Sequence, residues 1–358
     1  MDNKYVLIID GLGIGKSDDS KSLKSEGANT LKLLNNTQHL KIENLKKLGI
    51  GLIKNVEGLG YEMFPIGQYG RAVSEIKTKN RFALIQEILQ NDNKNIPIFN
   101  PVSAIPDSLI ELLEKECNVS FLCKKCTTIV NAIKEYAEKQ KRTSNPILLT
   151  TGKSDLVYVV SSNKFSIDDN KEVFKKIISL CRKSKYNFYE YYFVVYDNKN
   201  GKSVLNKELS EHFFSPLENK WSDTGYFVGI DFQKSIIAKN IIKTKTDLET
   251  YRYVSDLINN KKLNNSYVFI NFSQLYYRLA TKKINGALNA INLIDLYIGE
   301  FLKHIDDTDN IIIIGTCGYD FNSKSCSTTK EAVPYIKYMP NIKSYNIGKI
   351  KLTEALNI

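Results

Sequence analysis

The residue of this chain best placed to do chemistry is an aspartate at the end of a short apolar run. Residues 5–10 are largely β-branched and apolar, end on Asp10, and are followed at once by Gly11, Gly13 and Gly15. That pattern reads as a buried strand emptying into a glycine-rich turn, with a carboxylate at the end where open parallel sheets bind ligands. A matching run, Asn310-Ile-Ile-Ile-Ile-Gly315, empties into Thr316, Cys317, Gly318, Tyr319 and Asp320. Cys123-Lys-Lys-Cys126 has the spacing of a redox pair or half a zinc site. It has no second such pair, and the histidines are only His39, His212 and His304, so two ordinary thiols are expected.

The elements that must position these residues follow from periodicity. Residues 267–272 form a third apolar strand, and 286–305 space their apolar residues as an amphipathic helix before the strand at Asn310. Strand, helix and strand in this order imply a doubly wound α/β core. The middle reads differently: helix over 127–141, strand over 146–151, helix over 171–183 and an aromatic-rich strand over 189–196. The expected organisation is a core of residues 1–95 and 223–358, with 96–222 inserted as a smaller α+β domain. Turn-forming stretches at 91–97 and 215–224 mark the junctions.

Bulk properties narrow the function classes. The chain has 358 residues, 42% of them hydrophobic, enough for a full core and for division into two domains. The formal charge of +11 is carried by scattered lysines with no basic block, which favours a solvated surface over a nucleic-acid face. Six unevenly placed cysteines read as reduced thiols. The first apolar run is too short for a secretory signal, and no run approaches a membrane span, so a cytoplasmic protein without a membrane partner is expected.

Asp10-Gly-Leu-Gly-Ile-Gly15, then Asp18, Asp19 and Glu26-Gly-Ala-Asn-Thr30, closely resembles the amino-terminal signature of phosphopentomutases, members of the alkaline-phosphatase superfamily. The resemblance continues through Leu45-Lys-Lys-Leu-Gly49, Tyr69-Gly70, Thr150-Thr-Gly-Lys-Ser154, residues 286–295 and Lys330-Glu-Ala-Val-Pro334, in order and over nearly the whole chain. It implies an alkaline-phosphatase-like metal-binding core with an inserted cap. The implied enzyme moves phosphate between the 5 and 1 positions of ribose or deoxyribose through a phosphothreonine, with two manganese ions. Such a site needs carboxylates and imidazoles to hold the ions, deprotonate the nucleophile and offset charge on the phosphate.

Most of the residues that the resemblance calls for are replaced. Asp10 remains, whereas the Asp and His after the third strand fall on or near Ser273 and Arg278. The family's Ala-Asp-His-Gly reads Gly315-Thr316-Cys317-Gly318, and its Asp-His-Thr-Arg-Glu reads Ser327-Thr328-Thr329-Lys330-Glu331. The phosphothreonine motif is reduced to Ser74-Glu-Ile-Lys-Thr-Lys-Asn-Arg81, leaving Thr78 as the nearest hydroxyl to the nucleophile position and Ser74 as the second. A hydroxyl is a weak nucleophile without a base or metal to activate it. Lys77, Lys79 and Arg81 are read either as a solvated charged loop or as fixed positive charge where the metals would lie. Cys317, Cys326 and Asp320 with Asp10 are a conceivable set for a zinc-like ion, but drift of the ligands explains them more simply. In the cap, Lys153, Ser154 and Asp155 keep part of the segment that contacts the sugar phosphate, while residues 189–198 lack the family's arginines.

The expectation is therefore a phosphopentomutase-like pseudoenzyme that needs no cofactor and binds a phosphorylated small molecule, such as a phosphorylated sugar, or a protein partner. Its rival is an active mutase or phosphotransferase interconverting (deoxy)ribose 1- and 5-phosphate, using manganese or another divalent cation at an altered site. A third reading, a charged surface that binds nucleic acid or an acidic protein, rests on lysine abundance alone, and steep salt dependence would mark it.

Overall fold

The computed structural model describes residues 2–56, 58–89, 105–151, 156–164, 167–184, 188, 190–199, 202–214, 216–260, 262–320 and 327–357. Lys153, Ser154, Asp155 and Cys326 lie outside the described residues, as does the first expected junction. Contacts along the chain divide it into two units, Met1–Asn93 with Pro216–Ile358, and Lys94–Ser215.

In the first unit the apolar runs form an eight-stranded sheet. Its order is Asn240–Lys243, Tyr226–Gly229, Tyr267–Phe272, Lys4–Ile9, Asn310–Gly315, Val333–Tyr338, Gln68–Val73 and Asn346–Lys351. All neighbours are parallel except Val333–Tyr338, which runs antiparallel to both strands beside it. Lys4–Ile9 is central and buried on both faces, which is why it reads as a continuous apolar run and does not alternate. Tyr5, Leu7 and Ile9 share one core with Val254, Leu275, Ile291 and Ile298 of the covering helices Asp247–Asn259, Gln274–Ala280 and Ile284–His304. Val6 and Ile8 point to the other face. On that side Phe269 stacks on Phe227, and Phe232 of the helix Phe232–Ser235 meets Phe227 edge-on. Helices on both faces make the doubly wound α/β core that the sequence implies.

Register brings the site together. Ile9 pairs with Phe272 on one side and Gly315 on the other, so Asp10, Ser273 and Thr316 leave three adjacent strands at one level. On the next strand Gly229 pairs with Asn271, so Asp231 emerges nearby.

The second unit carries a five-stranded sheet in the order Leu122–Cys126, Ile147–Thr150, Leu156–Ser162, Glu190–Lys199 and Lys202–Phe214. Residues of Asp107–Cys117 and Ile167–Lys183 form a core on one face, and residues of Ile129–Thr143 one on the other. The helix expected over 127–141 starts two residues later because the Thr128 side chain caps it, accepting from Asn131 N. The helix expected over 171–183 starts earlier, at Ile167, with Asp168 and Asp169 in its first turn. No helix among the described residues is long and apolar enough to cross a membrane.

Candidate functional site

Asp10 is fully buried, and donors surround it. Its Oδ1 accepts from Thr316 Oγ1 at 3.0 Å. Its Oδ2 accepts from Ser273 Oγ at 3.0 Å, Asn271 Nδ2 at 3.1 Å and Arg81 Nη1 at 2.7 Å. Two positions where the resemblance calls for metal ligands, Ser273 and Thr316, thus converge on the retained aspartate as hydroxyl donors. A metal ligand must offer a lone pair to a cation, whereas these groups offer protons to an anion.

Arg81 supplies the cation. Asn80 caps the helix Arg81–Ile88, accepting from Phe82 N and Ala83 N, and so fixes the first helical residue. From there the Arg81 side chain runs inward and keeps only 6% of its exposure. Nη1 meets Asp10, while Nη2 meets Asp231 Oδ2 at 2.5 Å and the Tyr277 hydroxyl at 2.9 Å. The guanidinium carbon lies 4.4, 4.5 and 4.9 Å from the ring centres of Phe82, Tyr276 and Tyr277. Planar faces against rings and edges against carboxylates are the arrangement that suits arginine and not lysine. Burial alone would weaken this cation, but Asp10 and Asp231 hold its pKa above even the usual guanidinium range.

Asp231 is tied on both oxygens. Lys234 Nζ sits 2.7 Å from Oδ1, and the Tyr277 hydroxyl donates to Oδ2 at 2.5 Å. Burial would raise its carboxyl, but Arg81 and the hydrogen bonds from Lys234 and Tyr277 hold it below the usual range. Asp247 accepts from Ser273 N and Gln274 N, anchoring the segment that carries Tyr276 and Tyr277. Burial pushes its carboxyl up to about 7 against those bonds, and the charges of Asp10 and Asp231 add to the rise. Burial, with Asp10 nearby, likewise pushes the Cys317 thiol up to about 12, which leaves it a neutral thiol at pH 7 beside the Asp10–Arg81 pair.

The other expected positions fall around this cluster. Thr328 Oγ1 lies 3.1 Å from the Tyr276 hydroxyl. Thr78 is buried in the turn before the Arg81 helix, and its Oγ1 accepts from Asn80 N at 2.9 Å. Arg278, on the helix after Ser273, lays its aliphatic stem against Gly286. Lys77 is exposed and Lys79 half-buried.

A second buried carboxylate holds the surrounding loops. Glu331 accepts from Gly15 N at 2.9 Å, Thr30 N at 3.0 Å, Thr30 Oγ1 at 2.8 Å and Thr329 Oγ1 at 2.6 Å. A Cβ added at Gly13 or Gly318 would overlap its oxygens, so both positions require glycine. Beside it the buried Lys330 ammonium donates to Ser74 Oγ and Ile76 O, which pins the start of the 74–81 loop.

These residues do not fit a divalent-metal pair. Asp10 has its oxygens engaged by four donors, Asp231 is shared by two cations, and a guanidinium spans the two carboxylates. Among the described residues no group of three or more His, Cys, Asp or Glu side chains is placed to hold a metal. Arg81, read in sequence as one of three basic residues that could supply fixed charge, is the one brought to Asp10. The sequence reading missed Asp231, Asn271, Tyr276, Tyr277, Lys234 and Asp247. One signal was available: Tyr226-Phe-Val-Gly-Ile-Asp231 ends an apolar strand on an acid just as the run to Asp10 does.

No family model matches the chain. A phosphopentomutase of Mycoplasmopsis pulmonis is 25% identical over 96% of this chain and 89% of its own length. A phosphopentomutase of Helicobacter acinonychis is 24% identical over 96% of this chain and 91% of its own. Among solved structures, the PH0037 protein of Pyrococcus horikoshii aligns with 99% of this chain and 94% of its own, at 11% identity and a TM-score of 0.47.

Proposed function

We propose that this chain, a divergent phosphopentomutase-like protein, is a pseudoenzyme that does not carry out metal-assisted phosphoryl transfer and instead binds a phosphorylated small molecule, a pentose phosphate being the first candidate. In this reading residues 1–95 and 223–358 are an alkaline-phosphatase-like core, 96–222 are its cap, and the protein works in the cytoplasm. The observation that carries the reading is the Arg81 guanidinium between Asp10 and Asp231. Moving a phosphoryl group through a threonine requires a deprotonated hydroxyl and divalent charge against the phosphate. Asp10 is committed to Arg81 and three further donors, and Thr78 Oγ1 accepts a backbone N–H. Lysines on the 74–81 loop are the groups proposed to meet the phosphate. A protein partner is the other occupant this reading allows.

The test is thermal melting of the purified full chain with manganese, ribose 5-phosphate, both or neither, beside a mutase assay. Ligand binding to the native state must raise Tm, by about 2.7 kcal/mol of stability at a hundredfold excess over Kd. The expected result is a rise with the sugar phosphate that manganese does not change, and no interconversion. Manganese-dependent turnover would overturn the proposal in favour of an active mutase with an altered metal site. A flat melting temperature throughout would turn the search to protein partners.

A further inference from the structure

We infer that Arg81 is a built-in replacement for a bound cation: the pocket formed by Asp10, Asp231, Phe82, Tyr276 and Tyr277 is a guanidinium site, filled by the chain itself. The inference deepens the metal-free reading of this site and rests on it.

The argument starts from cost. Asp10 and Asp231 have no exposed side-chain surface, and two buried carboxylates at the ends of the strands on either side of Tyr267–Phe272 repel each other unless a cation lies between them. Three features point to a guanidinium as that cation. Its two terminal nitrogens serve different carboxylates, at 2.7 and 2.5 Å, which a single ammonium on a flexible stem cannot do in the same way. Three aromatic rings lie within 5 Å of its carbon, and their faces offer a metal ion no lone pair but give a flat cation π-faces. The Tyr277 hydroxyl completes the edge, bonded to both Nη2 and Asp231. The site is thus shaped for a flat, forked cation and supplied with one through the helix cap at Asn80.

The experiment compares melting temperatures of full-length variants. Arg81→Ala should fall by roughly 10 °C, as breaking one side of a buried ion pair does. Arg81→Lys should recover little of the loss. Millimolar guanidinium chloride should raise the Tm of Arg81→Ala by several degrees while leaving the parent unmoved, and equimolar sodium chloride or urea should do neither. A triple variant, Arg81→Met with Asp10→Asn and Asp231→Asn, removes cation and anions together and should melt above Arg81→Met alone, which keeps the question answerable if single variants fail to fold. The inference is overturned if Arg81→Ala melts like the parent, if manganese rescues it as well as guanidinium does, or if the triple variant melts no higher than Arg81→Met. Mutase activity in the parent would end the proposed function without moving any of these comparisons, so the two failures can be told apart.

Discussion

Asp10 and Glu331 are both buried carboxylates at the loop end of the same sheet, and they are satisfied in different ways. Glu331 takes two of its four hydrogen bonds from backbone N–H groups and the others from the hydroxyls of Thr30 and Thr329, with Gly15, Thr30 and Glu331 itself in segments that resemble the phosphopentomutase signature. Asp10 takes all of its side-chain bonds from side chains, on three different segments. A carboxylate held by backbone is bound to the path of the chain, and close glycines leave it no room for change. A carboxylate held by side chains can exchange its partners as a set, provided that donors replace whatever cation was there. The loop frame therefore keeps its motif, while the cluster around Asp10 has a different chemistry on the same strand ends.

The contrast can be broken in order of severity. Glu331→Ala strands four buried donors at once and should cost about 4 kcal/mol, read by chemical denaturation; a loss under about 1 kcal/mol would mean that the loops do not depend on it. Asp247 comes next, through pH. Its folded carboxyl is raised to about 7, well above the unfolded value near 4, so the folded state holds that proton more tightly. Its stabilising contribution is complete below about pH 4 and is lost as pH rises through 7. Between pH 5 and 8 the loss should be about 3 kcal/mol, and Asp247→Asn should flatten that slope; equal slopes in parent and variant would remove Asp247 from the account. Tyr277→Phe deletes a hydroxyl that bridges Asp231 and Arg81 and should cost about 1.5 kcal/mol without altering the fold by circular dichroism. Lys234→Met should cost only about 0.5 kcal/mol, because its side chain remains 30% exposed and the pair is screened. A larger effect of Lys234 than of Tyr277 would show that charge count, not the forked geometry, holds the cluster.

How far the sequence could be read follows the same division. The strands Tyr267–Phe272 and Asn310–Gly315 fall on the residues expected, because buried parallel strands are unbroken apolar runs with polar stops. The long helix expected over 286–305 is found at Ile284–His304, its period unmistakable over so many turns. Asp10 was legible as the strand's last word. The partnership of Arg81 with Asp231 was not, because 150 residues separate them and neither local pattern refers to the other. What Ser273 and Thr316 do was also hidden: their positions were found, but that a hydroxyl turns its proton toward Asp10 depends on three strands ending level, which only the register shows.

That register has a consequence for how the protein is made. Lys4–Ile9 is the centre of the sheet, and it is synthesised well before both of its neighbours, Tyr267–Phe272 and Asn310–Gly315. At ordinary synthesis rates the strand Asn310–Gly315 follows after roughly 15–60 s. Until Tyr267–Phe272 is made, Val6, Leu7, Ile8 and Ile9 have no partner strand, so a newly made chain must keep bare, sticky β-edges out of wrong pairings until both neighbours arrive.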